Sequence, residues 1–230
     1  MKIGFFTDSH YSQFSTCKGR FNDQSLRKIK EAYAFFEKEN CDLVICLGDL
    51  IDHEDSHQKE IENLKEIAFI LNNSKIKTVC LMGNHDAFSF DTNEFYKVLN
   101  IESPKTIKAE NKTLLFLDAC YFKNGEHYTA LGGDWTDTFY PFCEELKQTL
   151  EGINGDVYIF LHQNLDTSVS KDHLLYNTEE MNDIIAKSKK VKTVYQGHYH
   201  KGSRNVINGI KYVTFPAMCQ NENCYFIEEI

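Results

Sequence analysis

No stretch of this 230-residue chain is apolar for long enough to span a bilayer. A spanning helix needs roughly 20 apolar residues, and the longest runs, 43–47 and 157–161, are strand-sized. The opening Met1-Lys2-Ile3-Gly4-Phe5-Phe6 lacks the charged region, apolar region and cleavage site of a secretory signal. The expected location is therefore cytoplasmic, with no membrane partner. Basic runs are also missing beyond Lys187-Ser188-Lys189-Lys190, and the net charge is −9. Binding to duplex nucleic acid needs a row of phosphate-neutralising cations, so nucleic acid is not an expected partner. No low-complexity linker or repeat interrupts the chain, which reads as one domain over residues 1–230. Oligomeric state has no signature here. The apolar content of 42% suffices for a full buried core.

The eight cysteines do not form a disulfide or zinc pattern. Cys41 and Cys46 lie five apart, an odd separation that puts strand side chains on opposite faces. Cys46 and Cys80 fall inside apolar runs. Without a secretory signal, reduced and buried thiols are expected.

Periodicity gives strands at 3–7, 43–47 and 78–82, with Leu26, Ile29, Ala32, Tyr33 and Phe36 marking one intervening helix. Ile61, Leu64, Ile67, Ala68 and Leu71 mark the other. This β-α-β-α-β order is that of an α/β layer protein. Later, 106–110 and 113–117 read as a hairpin about Asn111-Lys112, 129–131 as a short strand, and 141–150 as a helix with proline at its start. Strands are expected at 156–161, 193–196, 210–215 and 224–227, with a turn at Asn208-Gly209 and a helix at 179–187.

The chemistry-bearing residues follow these apolar runs. Asp8-Ser9-His10, Gly48-Asp49, Gly83-Asn84-His85-Asp86, His162 and Gly197-His198-Tyr199-His200 each sit where a strand should end, the place where open α/β sheets gather functional loops. A carboxylate and an imidazole one residue apart point the same way from a strand end, so Asp8 and His10 can bind one ion; His198 and His200 invite the same reading. Asp49 can bridge two cations through its two oxygens. The donors suit a two-metal hydrolytic centre of manganese, iron or zinc, whereas calcium and magnesium prefer oxygen alone.

In this order the motifs resemble the calcineurin-like metallophosphoesterase superfamily, and the likeness covers most of the chain. It implies a four-layer α/β/β/α sandwich of two mixed sheets flanked by helices. It also implies Asp8, His10, Asp49 and His200 around one metal, and Asp49, Asn84, His162 and His198 around the other. Two divalent ions against two carboxylates leave about two positive charges, which can attract a phosphate to an acidic protein. A metal-bridging hydroxide is then expected to attack phosphorus in line. His85 is implied to stand over the phosphate as a catalytic residue, steadying it or protonating the leaving oxygen. Asp86 is expected to cap the following loop or to orient His85.

Alone, His162 would read as a structural histidine, and Asp8 and Asp49 as turn residues; within the ordered set they read as ligands. His53, His57, His127 and His173 lie in polar segments and are expected in solvent, with His53 near enough to Asp49 to support the site. Where the superfamily often has a second histidine, residue 163 is Gln163. The segment 122–140, with Gly132-Gly133-Asp134-Trp135 at its centre, is individual to this chain. Arg20, Arg27, Tyr11, Phe14, Phe88, Phe90, Trp135 and Tyr199 are candidate substrate contacts: aromatics can stack on a base, and arginine can grip a second phosphate. Residues 20–26 resemble the manganese-dependent ADP-ribose and CDP-alcohol diphosphatase branch. The expected activity is hydrolysis of a small phosphodiester or nucleotide pyrophosphate. Alternatives are a cyclic-nucleotide phosphodiesterase, a broad phosphatase, a nuclease subunit or a metal-free scaffold.

Overall fold

Two sheets lie back to back in the computed structural model of the protein, which describes residues 1–13, 19–129 and 134–230. The first contains β1 (Lys2–Phe6), β2 (Leu43–Cys46), β3 (Thr78–Cys80) and β10 (Tyr225–Glu229), in the order β10-β1-β2-β3. The second contains β4 (Ile107–Ala109), β5 (Lys112–Phe116), β6 (Asp156–Phe160), β7 (Val191–Gln196), β8 (Ser203–Ile207) and β9 (Ile210–Thr214), in the order β4-β5-β6-β7-β9-β8. Each has a parallel centre, and β10, β4 and β8 run antiparallel at the edges. Parallel strands covered on both faces need continuous apolar residues, and all four residues of β2 are buried.

Between the sheets, Phe5 stacks on Tyr195 and Phe215 at ring separations of 5.0 and 4.9 Å, and Phe160 on Phe116 at 4.9 Å. Burying one such side chain contributes roughly 1.5–3 kcal/mol. Helices α1 (Ser25–Lys38), α2 (His57–Asn73) and α4 (Thr92–Leu99) cover the outer face of the first sheet, burying Ile29, Phe36, Leu64, Ile67 and Phe95. Helices α5 (Cys143–Gly152) and α6 (Thr178–Ser188) cover the second with Leu146, Leu150, Met181 and Ile185. The result is the expected α/β/β/α sandwich of two mixed sheets. No helix among the described residues is long and apolar enough to cross a membrane.

Local chemistry moves some expected boundaries. Helix α5 starts at Cys143 rather than at Pro141, because Asn177 Oδ1 accepts the Tyr140 N–H at 3.1 Å and its Nδ2 donates to the Tyr140 carbonyl, pinning the chain as it enters. The short helices α3 (Asn84–Ser89) and α4 were not anticipated. The second is capped by Asp91, which accepts the Glu94 N–H, and ends at left-handed Asn100. The expected strand at 129–131 falls largely on 130–131, outside the described residues, as do Phe14, Gly132 and Gly133.

Candidate metal centre

The loops leaving β1 and β2 run side by side, with Asp8 N donating to Gly48 O, His10 N to Asp49 O and Tyr11 N to Leu50 O at 2.9–3.0 Å. The expected strand-end alternation does not aim the side chains. Asp8 and His10 instead have left-handed φ of 51° and 42°, as do Asp49 at 53° and His198 at 64°. Non-glycine residues held there cost about 1–3 kcal/mol each and persist only where the surroundings fix them. Gly48 is also left-handed, at φ 107°, and a Cβ on Gly83 would collide with the Asp49 carboxylate. Glycine therefore lets the second and third loops touch.

Two donor sets share Asp49. Its Oδ1 accepts the His85 N–H at 2.8 Å, while Oδ2 lies 3.4 Å from His10 Nε2 and 3.3 Å from His162 Nε2. On one side, His200 Nε2 is 3.4 Å from Asp8 Oδ1 and 3.2 Å from His10 Nε2. On the other, His162 Nε2 is 3.2 Å from Asn84 Oδ1, and the His198 ring is 5.0 Å from that of His162. His198 and His200 thus diverge to separate sets, contrary to a shared ion for that pair. The donors fit divalent cations. Asp8 Oδ2 is occupied by Thr7 and the His198 N–H, but its fully buried Oδ1 has no hydrogen-bond partner. Two imidazole nitrogens 3.2 Å apart need a cation or proton beside them. His162 donates Nδ1–H to Leu47 O at 2.8 Å, leaving Nε2 turned inward as a metal site requires.

The charges of the donors reflect this crowding. Burial works to raise Asp8, but His10 and His200 outweigh it and hold the carboxyl well below its usual range; His162 and His85 do the same for Asp49. Burial, then His85, lowers His10 to about 4, whereas Asp49 overcomes burial and lifts His162 to about 9.

His85 opens to a cleft of about 870 Å³, shared with Arg20, Asp52, His53, Trp135, His173, Tyr199, His200 and Lys201 among others. Its Nδ1 donates to Asp52 Oδ1 at 2.9 Å, and Asp52 Oδ2 accepts from Arg20 Nη1 at 3.0 Å and Asn22 Nδ2 at 2.9 Å. Burial opposes the charge on His85, but Asp49 and Asp52 raise its pKa. Asp52 escaped the sequence reading, although a carboxylate three residues after Asp49 in an apolar segment could have marked it. Cys219 also escaped: its buried thiol lies close to His10 and His200, and burial and then Asp8 push its pKa up.

The Asp86 carboxylate is buried and hydrogen-bonds backbone rather than the His85 ring. It accepts the N–H groups of Leu50, Ile51 and Gly83, tying two loops together; burial and Asp49 lift it to about 7 against those bonds. His53 lines the cleft but bonds Glu60 at 2.6 Å. The expectation of solvated histidines holds for the exposed His53 and His57, the latter also bonding Glu60 and Glu94, but fails for half-buried His173, whose ring packs against that of His198 at 5.3 Å, and for half-buried His127, which bonds Asp118. Gln163 is buried and directs its amide to Cys120. Of the candidate substrate contacts, Arg20, Trp135 and Tyr199 line the cleft. Tyr11 is buried against Glu66, Phe90 is buried, Phe88 packs on His53, and Arg27 pairs with Glu31 in solvent.

Carboxylate, amide and imidazole donors gathered at the strand ends of a two-sheet sandwich define a dimetal phosphoesterase. The chain belongs to the calcineurin-like phosphoesterase family, whose sequence profile matches residues 1–202. Membership implies divalent metal ions. The chain is 28% identical over 232 residues to a 3',5'-cyclic-nucleotide phosphodiesterase of Nostoc sp., covering 95% of this chain and 79% of that protein. It is 25% identical over 210 residues to a probable cyclic nucleotide phosphodiesterase of Fibrobacter succinogenes, covering 87% and 73%. A dimetal phosphatase from Danio rerio shares the fold at a TM-score of 0.85 and 15% identity, with 98% of this chain and 91% of that one covered.

Proposed function

We propose that this chain hydrolyses the phosphodiester of a small nucleotide, foremost a 3',5'-cyclic nucleotide, at a centre of two divalent ions. The observation that carries the proposal is Asp49 Oδ2, placed 3.4 and 3.3 Å from the inward nitrogens of His10 and His162, where one carboxylate can serve two cations. Asp8, His10, Asp49 and His200 hold one ion; Asp49, Asn84, His162 and His198 hold the other. Manganese, iron or zinc suits this mixture of nitrogen and oxygen donors. The ions, when bound, supply an activated water and neutralise charge developing on phosphorus.

The chain supplies the rest. Asp52 accepts the His85 Nδ1–H and, with Asp49, favours the imidazolium, whose other N–H, on Nε2, can pass its proton to the departing oxygen and leave His85 neutral. Arg20 and Asn22 hold Asp52 in place. The names of both relatives support the cyclic diester. Assays of 3',5'-cyclic AMP, bis-(p-nitrophenyl) phosphate and ADP-ribose with added manganese, ferrous iron or zinc test the proposal. Turnover of the cyclic diester is expected. Turnover of ADP-ribose alone replaces it with a pyrophosphate substrate, and no turnover of any phosphoester overturns it.

A further inference from the structure

We propose that Trp135, His173 and Tyr199 form a subsite that stacks the substrate's base, on the His198 side of the centre. The proposal rests on the nucleotide reading above and deepens it. A volume of about 870 Å³ far exceeds a phosphate group and falls within the range of small-molecule sites. The three rings come from separate segments: the 3-10 turn Trp135–Asp137, the 3-10 turn Lys171–His173, and the loop after β7. Trp135 meets His198 at 5.2 Å and His173 at 5.5 Å, tilted 68° and 64°, and His173 meets Tyr199 at 5.1 Å and 79°.

These edge contacts brace the rings against one another while leaving Trp135 37% exposed on the cleft. Asp134 fixes its turn by accepting the Thr136 N–H at 3.0 Å, and the following Phe139 N–H donates to Tyr121 O at 2.8 Å. The indole is thus held in place yet incompletely covered. The His10 side of the cleft carries His85, Asp52 and Arg20, joined in a charged hydrogen-bonded network through Asp52 rather than in a cluster of large aromatic rings. With phosphate over Asp49, His198 separates the reacting group from Trp135 much as ribose separates phosphate from base. Every base has a π-face, so such a subsite accepts purines and pyrimidines alike.

Trp135 is the single tryptophan of the chain, so its fluorescence reports directly on the subsite. In the metal-loaded full-length protein, AMP is expected to quench the emission saturably, whereas ribose 5-phosphate and inorganic phosphate leave it nearly unchanged. Trp135→Ala should raise KM for 3',5'-cyclic AMP about tenfold with kcat kept within about twofold, and Trp135→Phe should retain most of the affinity. Equal quenching by AMP and ribose 5-phosphate, or an unaltered KM in Trp135→Ala, overturns the subsite while leaving the hydrolytic reading standing. Base-dependent quenching in a protein that turns over no phosphoester supports the subsite and overturns that reading instead.

Discussion

At one end of the cleft, His85, Asp52, Arg20 and Asn22 are linked by hydrogen bonds of 2.9–3.0 Å; at the other, Trp135, His173 and Tyr199 meet only edge to face. The first end leaves His85 little freedom in tautomer or direction, as proton transfer demands. The second constrains planes rather than atoms, so molecules of related shape can occupy it. Under the proposed function, reaction chemistry and substrate choice fall to different forces, and each end should be separable by mutation.

The largest effect is expected at the residue both donor sets share. Asp49→Ala should lower turnover by roughly 10³-fold or more, since the ions supply several kcal/mol of transition-state stabilisation. Elemental analysis should show lost metal while circular dichroism stays native; full activity in this variant removes Asp49 from the centre. Next, His85→Asn should cost about 10²–10⁴-fold in kcat with metal content unchanged. Asp52→Asn should fall between it and the parent, and parental kcat in Asp52→Asn breaks the link between these side chains. Trp135→Ala, at about tenfold in KM, is smaller and marks the contrast between the two ends most directly.

The smallest effect tests the scaffold. His57 bonds Glu94 and Glu60, joining α2 to the start of α4. The Glu94 bond, opposed by slight burial and aided by Glu60, raises its pKa above the ordinary 6.5. The protonated form is favoured by folding, so this stabilisation is complete below 6.5 and fades as pH rises through the higher folded value. His57→Gln should lower Tm by about 2 °C or less at pH 5.5 and by almost nothing at pH 9. An equal loss at both pH values would assign the effect to packing.

The ordered strand-end motifs made the convergence of Asp8, His10, Asp49, Asn84, His162, His198 and His200 legible in the sequence, because parallel strands impose both a buried apolar run and a loop at its end, while the two-sheet sandwich followed from the family resemblance that those motifs carry. The directions of the side chains were not legible. They depend on left-handed turns at Asp8, His10, Asp49 and His198, which alternation along a strand does not describe. His173 was placed in solvent on its polar neighbours Lys171 and Asp172, yet the backbone bridge between Asn164 and Leu174 brings it to the cleft. Helix α4 was missed for lack of length, though Asp91 and Asn100 mark its ends.

The pairing of β1 with β10 sets Lys2 opposite Glu229, and the N–H groups of Met218 and Cys219 clamp the carbonyls of Thr7 and Asp8. Contacts so distant in sequence require closing nearly the whole chain as one loop, at an entropic cost that grows slowly with length. As the chain grows, Asp8 and His10 therefore emerge almost a whole chain length ahead of the segment that holds them in register. The donor cluster cannot be complete until His198, His200 and the clamping Met218 and Cys219 have been synthesised, near the far end of the chain.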